Sequence, residues 1–204
     1  MIADKDRRYW FGASDSAKIL NPNHDTKTWQ KWWRVKCGID EDEFFGNVYT
    51  DAGTRFEHPI LDCFDSDINK DRQLIIPELR LRVNYDGDKD GNIFEVKTHR
   101  ADKSFTITTY IASQVQTEMY VWQEVVGELK GLYILSYGLT EADYLNEAPT
   151  AEDVDYNRIK IHRVKYKPKQ IRRFLKCLEP LAEEIKKNIP EEEENGEETM
   201  EHIR

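Results

Sequence analysis

The chain has 204 residues, 39% hydrophobic and 34% charged, with a formal net charge of −9. That length suits one domain with a real core. No apolar run is long enough to span a membrane and the first residues lack the apolar stretch of a signal peptide, so a cytoplasmic protein is expected. Three widely spaced cysteines, Cys37, Cys63 and Cys177, exclude a conventional zinc ribbon and a four-cysteine iron–sulfur cluster from this chain alone, and argue against a disulfide framework.

Arg7, Arg8 and the run Tyr9-Trp10-Phe11-Gly12-Ala13-Ser14-Asp15 lead into residues 16–20, predicted as a short helix capped by Ser14 or Asp15 and ended by Asn21-Pro22. A helix start with a hydroxyl and nearby arginines can hold a phosphate, and an ordinary capped helix explains the same residues. Residues 28–37 form the next predicted helix, stopped by Gly38, with Trp29, Trp32 and Trp33 on one aromatic stripe that belongs to a core. Residues 39–49 form an acidic connector. A helix follows over 52–64, with Phe56, Ile60 and Phe64 on its apolar face, Pro59 as an irregularity and Glu57 beside the stripe. There the Glu57 carboxylate either faces water or points inward toward a metal.

Residues 73–85 hold one or two strands, 74–76 and an alternating 79–83, which lead to Asp86 at the end of a loop. Nine residues later, Glu95-Val96-Lys97 lies in a strand-like run over 93–98. Alternation puts Glu95 and Lys97 on one face and Phe94 and Val96 on the other. An Asp and a Glu that converge can hold a divalent cation, and a lysine beside them can orient a water and offset charge in phosphodiester attack. A tight hairpin built on Asp86-Gly87 or Asp90-Gly91 with a surface Glu/Lys pair accounts for the same stretch. A calcium loop starting at Asp86 does not, because its twelfth position is Lys97 where a bidentate Glu is needed.

Residues 104–126 form the longest predicted helix, with a core stripe of Ile111, Val115, Met119, Trp122 and Val126, Gln114 flanking it and Gly127 as its stop. Strands are expected at 130–137 and 158–166. Pro168 opens a last amphipathic helix over 169–188, kinked at Pro180. Residues 190–204 carry seven Glu against one Arg, which leaves a net charge of only −3 for residues 1–189. This places a single domain at 1–189 and a disordered acidic tail at 190–204. The element order predicts a three-layer α/β fold with a central mixed β-sheet flanked by helices.

Four separated segments in this order resemble the lambda exonuclease (YqaJ-type) branch of the PD-(D/E)XK nucleases. They are Arg7 with Gly12-Ala13-Ser14-Asp15, Gly53-Thr-Arg-Phe-Glu57, Asp86-Gly87 with Glu95-Val96-Lys97, and Tyr110-Ile-Ala-Ser-Gln114-Val-Gln116. The likeness spans most of residues 7–121; from there to residue 189 only the element pattern agrees. It implies the restriction-endonuclease-like core and a Mg2+-dependent 5′→3′ exonuclease that resects linear double-stranded DNA, with Mn2+ as a substitute and two ions per site. The implied metal ligands are Asp86, Glu95 and the Val96 carbonyl. Lys97 would position the water, Glu57 would support the cleft, and Gln114 would lie near metal and nucleophile. Arg7 and Ser14 would bind a 5′ phosphate. Some members carry another acid upstream, for which Glu78 is the nearest candidate although its spacing differs, and Tyr85 stands where the family name has proline. A homotrimer, a single-strand annealing protein as partner in phage-type recombination, and a bacterial host cytoplasm are further implications. The competing readings are an endonuclease or single-strand nuclease of the same superfamily, and a catalytically silent nucleic-acid-binding module.

Overall fold

The computed structural model describes residues 7–41 and 46–190. Part of the 39–49 connector and nearly all of the expected acidic tail lie outside the described residues. Five strands form one sheet in the order β1 (Asn69–Ile76), β2 (Leu81–Lys89), β3 (Asn92–Arg100), β4 (Gly131–Leu139), β5 (Ile159–Val164). Neighbours run antiparallel except β3 and β4, which are parallel. Parallel strands cannot be joined by a tight turn, and the chain crosses over through α4 (Thr109–Val125). The predicted mixed sheet flanked by helices is therefore the observed architecture.

Alternation along β4 separates two cores. Leu132 and Ile134 face the cluster that includes Val115 and Met119 of α4 and Phe174 and Leu178 of α6 (Pro168–Lys186). Leu135, Tyr137 and Leu139 face the cluster that includes Phe56, Ile60 and Leu61 of α3 (Val48–Phe64). The three α3 side chains are fully buried, each contributing about 1.5–3 kcal/mol of apolar transfer. Trp29 and Trp32 of α2 (Lys27–Lys36) are buried in the first core with Trp33 packed against it, as the aromatic stripe predicts.

Several boundaries differ from the sequence expectation for identifiable reasons. α3 starts four residues before Ala52 because the Asn47 side chain accepts the N–H groups of Tyr49 and Thr50, at 3.0 and 3.1 Å. α4 starts at Thr109, where the Thr108 hydroxyl accepts the Ile111 N–H at 3.3 Å, and α6 with 19 residues is longer than α4 with 17. Val126, placed in the apolar stripe, is 46% exposed. Asp86-Gly87 is not a loop end or hairpin turn but lies within β2; the turn is Asp90-Gly91, whose φ angles of +50° and +79° suit a two-residue hairpin loop. The entry segment forms a 3-10 turn (Ala13–Asp15) and a four-residue helix, α1 (Ser16–Ile19). So short a helix has almost no dipole to offer a phosphate. A short helix, α5 (Glu141–Leu145), was not foreseen. Among the described residues no helix is long and apolar enough to cross a membrane.

Two glycines set the distance between α3 and the sheet. A Cβ on Gly87 would lie 2.5 Å from Ile68 Cγ2 and 3.1 Å from Leu61 Cδ2, and one on Gly53 would lie 2.8 Å from Thr98 Oγ1. Glycine lets helix and strand close to this separation, which carries Glu57 down toward β2 and β3.

Candidate active site

Pairing between β2 and β3 runs from Lys89↔Asn92 to Gly87↔Phe94 and ends there. One residue further on, the Asp86 side chain replaces the ladder: its Oδ2 accepts the Val96 N–H at 2.8 Å. Pairing between β1 and β2 likewise steps over Asp71 and Asp86, and Asp71 has φ +58°. Asp86 thus sits where the sheet loosens on both sides, with its carboxylate fixed by a backbone donor.

Glu95 and Lys97 share a face as predicted, and Val96 packs in the opposite core. Glu95 is 2% exposed, and its Oε1 accepts from Lys97 Nζ at 2.5 Å and from Gln114 Nε2 at 2.6 Å. Gln114 also donates to Glu118 Oε1 at 2.9 Å. Three of the site's carboxyls are pushed above their usual range, burial being the largest cause in each. Burial, then Glu95 and Glu57, raise Asp86 well above it; burial, then Glu95, does the same for Glu118. Glu57 is pushed up to about 7 by burial, then Glu95, then Asp71. Burial works to lower the Lys97 pKa, but Glu95 and Asp86 outweigh it and the pKa is raised. In the metal-free protein Lys97 is therefore a charged donor at neutral pH.

The residues at the site fit a hard divalent cation. Glu57, Asp86 and Glu95 bring oxygen donors whose mutual repulsion Lys97 only partly offsets. Behind them Glu118 Oε2 is a buried oxygen with no hydrogen-bond partner among the described residues. A cation among these groups would reverse the charge balance that raises their pKa values. Beside them, ligand atoms of Glu57, His58 and Asp71 lie within 4.8 Å of one another, with His58 Nε2 3.3 Å from Asp71 Oδ1.

The structure gathers Asp86, Glu95, Lys97, Glu57 and Gln114 into one cluster, with Val96 between Glu95 and Lys97. Arg7 and Ser14 lie at its margin: Ser14, Arg7 and Lys97 all act electrostatically on Tyr110 in the first turn of α4. Asp15 is taken up elsewhere, by Lys36 at 2.7 Å, Trp32 Nε1 at 2.8 Å and the Gly12 N–H at 2.9 Å. Glu78 is exposed on a 3-10 turn (Pro77–Leu79) and takes no part in these contacts. Sequence reasoning missed Glu118, His58 and Asp71. Glu118 lies four residues after Gln114 and so on its face of the helix, the one signal that could have found it.

No protein-family model and no curated protein matches the sequence. Among solved structures, the chain is similar to an alkaline exonuclease from Laribacter hongkongensis, with TM-score 0.64, 13% identity, and 97% of this chain and 96% of that chain covered. A structure of the same exonuclease in complex with dAMP gives 0.63 at 14% identity, with the same coverage. A phage-related exonuclease from Haemophilus somnus gives 0.60 at 15% identity, covering 86% of this chain and 92% of that one. At these identities the likeness is one of fold, and it is the fold that the resemblance to the lambda exonuclease branch implies.

Proposed function

We propose that this chain, which shares its fold with exonucleases, is a Mg2+-dependent deoxyribonuclease that digests linear double-stranded DNA from its 5′ end. The observation that carries the proposal is the constellation at the parted strands: Asp86 fixed on the Val96 N–H at 2.8 Å, and Glu95 bridged to Lys97 and Gln114 at 2.5 and 2.6 Å. Asp86, Glu95 and the Val96 carbonyl are the residues that would hold the cation, with Glu57 beside them. When bound, it would supply Lewis acidity and neutralise charge on the phosphoryl group.

The chain's own residues carry the rest. Lys97, held cationic by two carboxylates, donates to the attacking water and to the charge that develops on the phosphate oxygens. Glu57, beside the carboxylates that would hold the cation, is placed to accept a proton from that water. Arg7 and Ser14 receive the terminal phosphate. Two ions per site, Mn2+ as a substitute, a homotrimer and an annealing partner in recombination belong to the same reading.

The test is digestion of end-labelled linear and closed circular duplexes in Mg2+ and in EDTA. Linear DNA is expected to be consumed only with metal, faster with a 5′ phosphate than a 5′ hydroxyl, and Arg7→Ala is expected to narrow that gap. Ready cutting of closed circles would replace the exonuclease with an endonuclease, and full activity in EDTA would remove the metal.

A further inference from the structure

We propose that Glu118 is a positioning residue for this site, fixing the amide of Gln114 and through it the rotation of Glu95. The argument starts from a cost. Glu118 is 0% exposed, and its Oε2 has no hydrogen-bond partner among the described residues. A buried polar group left unmet costs about 1–3 kcal/mol, and more when charged. An apolar side chain at this depth on α4 would serve packing better, as its neighbours Val115, Met119 and Trp122 do. The fold alone gives no reason for a carboxyl here.

The site gives one. Gln114 has a single NH2 group, and it meets an acceptor at each of two oxygens, Glu95 Oε1 at 2.6 Å and Glu118 Oε1 at 2.9 Å. With the Lys97-bound Glu95 oxygen on one side and Glu118 Oε1 on the other, the NH2 turned inward serves both contacts at once. The Gln114 carbonyl is then turned away from both acids. Lys97 completes the arrangement by donating to the same Glu95 Oε1 at 2.5 Å. Both donors converge on Oε1, which leaves Glu95 Oε2 for a ligand. From β2, the Tyr85 hydroxyl donates to the Glu118 carbonyl at 2.8 Å and ties this turn of α4 to the strand that carries Asp86. The chain of contacts Glu118–Gln114–Glu95–Lys97 thus runs from the core to the reacting groups. Without Glu118 the amide keeps only its contact to Glu95 and loses the second anchor that sets its plane.

The catalytic consequence rests on the nuclease reading, whereas the effects on cation affinity and stability do not. The experiment compares wild type with Glu118→Met, Glu118→Gln, Gln114→Ala and the Glu118→Met/Gln114→Ala double variant, measuring Tm, Mn2+ affinity and stoichiometry by electron paramagnetic resonance, and cleavage. Glu118→Met is expected to keep or raise Tm while weakening Mn2+ affinity and lowering kcat about tenfold, the scale for residues that orient metal ligands, with KM for DNA unchanged. Glu118→Gln keeps an oxygen that can accept from Gln114 and is expected to recover most of both losses. The double variant is expected to be no worse than Gln114→Ala alone, because Glu118 acts through Gln114. A Tm that falls with Mn2+ affinity intact makes Glu118 merely structural, and loss of a whole bound ion makes it a ligand; either overturns the proposal. A wild type that cuts no DNA overturns the nuclease reading, while Mn2+ affinity and Tm still decide the role of Glu118.

Discussion

Lys97 has a strand position that forces it beside Glu95 and a charge that two carboxylates maintain against burial. Lys97→Ala is expected to lower cleavage by about a thousandfold or more. The fold and DNA binding in EDTA are expected to persist, because Asp86 can take up a proton; circular dichroism and a filter-binding assay check both. The raised carboxyls also set a pH dependence for the metal-free protein. Glu57, moved from 4.5 to about 7, binds more protons folded than unfolded across that interval. The Glu57 contribution to stability is therefore fully present below 4.5 and is lost as pH rises through about 7, the reverse of the usual salt-bridged carboxylate. Melts in EDTA at pH 5 and pH 8 test the sign, and added Mg2+ is expected to raise Tm more at the higher pH, where it competes with fewer protons. At this scale the sequence was only partly legible. Glu95 and Lys97 stand out because strand alternation puts them on one face, and Asp86 because it ends the preceding strand-like run nine residues earlier. Glu57 and Gln114 need the family resemblance, since a helical Glu or Gln by itself reads as a solvated face. Glu118, His58 and Asp71 stayed hidden because their roles depend on which element each one packs against.

Among the elements, α3 shows most clearly what tertiary packing added. Its periodic face at Phe56 and Ile60 was readable, but its first turn depends on Asn47, outside the periodic stretch. Asp86-Gly87 has the composition of a turn, yet it stays in β2 because Leu61 and Ile68 pack over the bare glycine. Gly87→Ala puts a methyl carbon 2.5 Å from Ile68 Cγ2, and is expected to cost about 1–3 kcal/mol in a urea titration by overpacking. To the extent that Leu61 of α3 must also give, at 3.1 Å, the substitution is expected to weaken cation binding through Glu57. The parallel pairing of β3 and β4 follows from the crossover that the predicted strand–helix–strand order already required.

For the whole molecule, charge poses a sharper question than shape. Residues 190–204 hold −6 of the net −9, and an acidic segment competes with phosphate for any basic groove. A chain ending at residue 189 is expected to fold and cut normally, and to bind duplex DNA more tightly at low salt, with the advantage shrinking as salt rises. Loss of folding or activity on truncation would make that segment structural.

The placement of α4 between two parallel strands bears on when the candidate site is complete. Asp86 and Glu95 lie on a hairpin that can close as soon as residue 100 is made, but Gln114 and Glu118 reach the site only on the crossover that ends at Gly131–Leu139. Closing that long connection is slow compared with forming a hairpin. A chain still leaving the ribosome therefore carries the acids without the helix that aims them. On the nuclease reading, cutting is expected only once the sheet is complete.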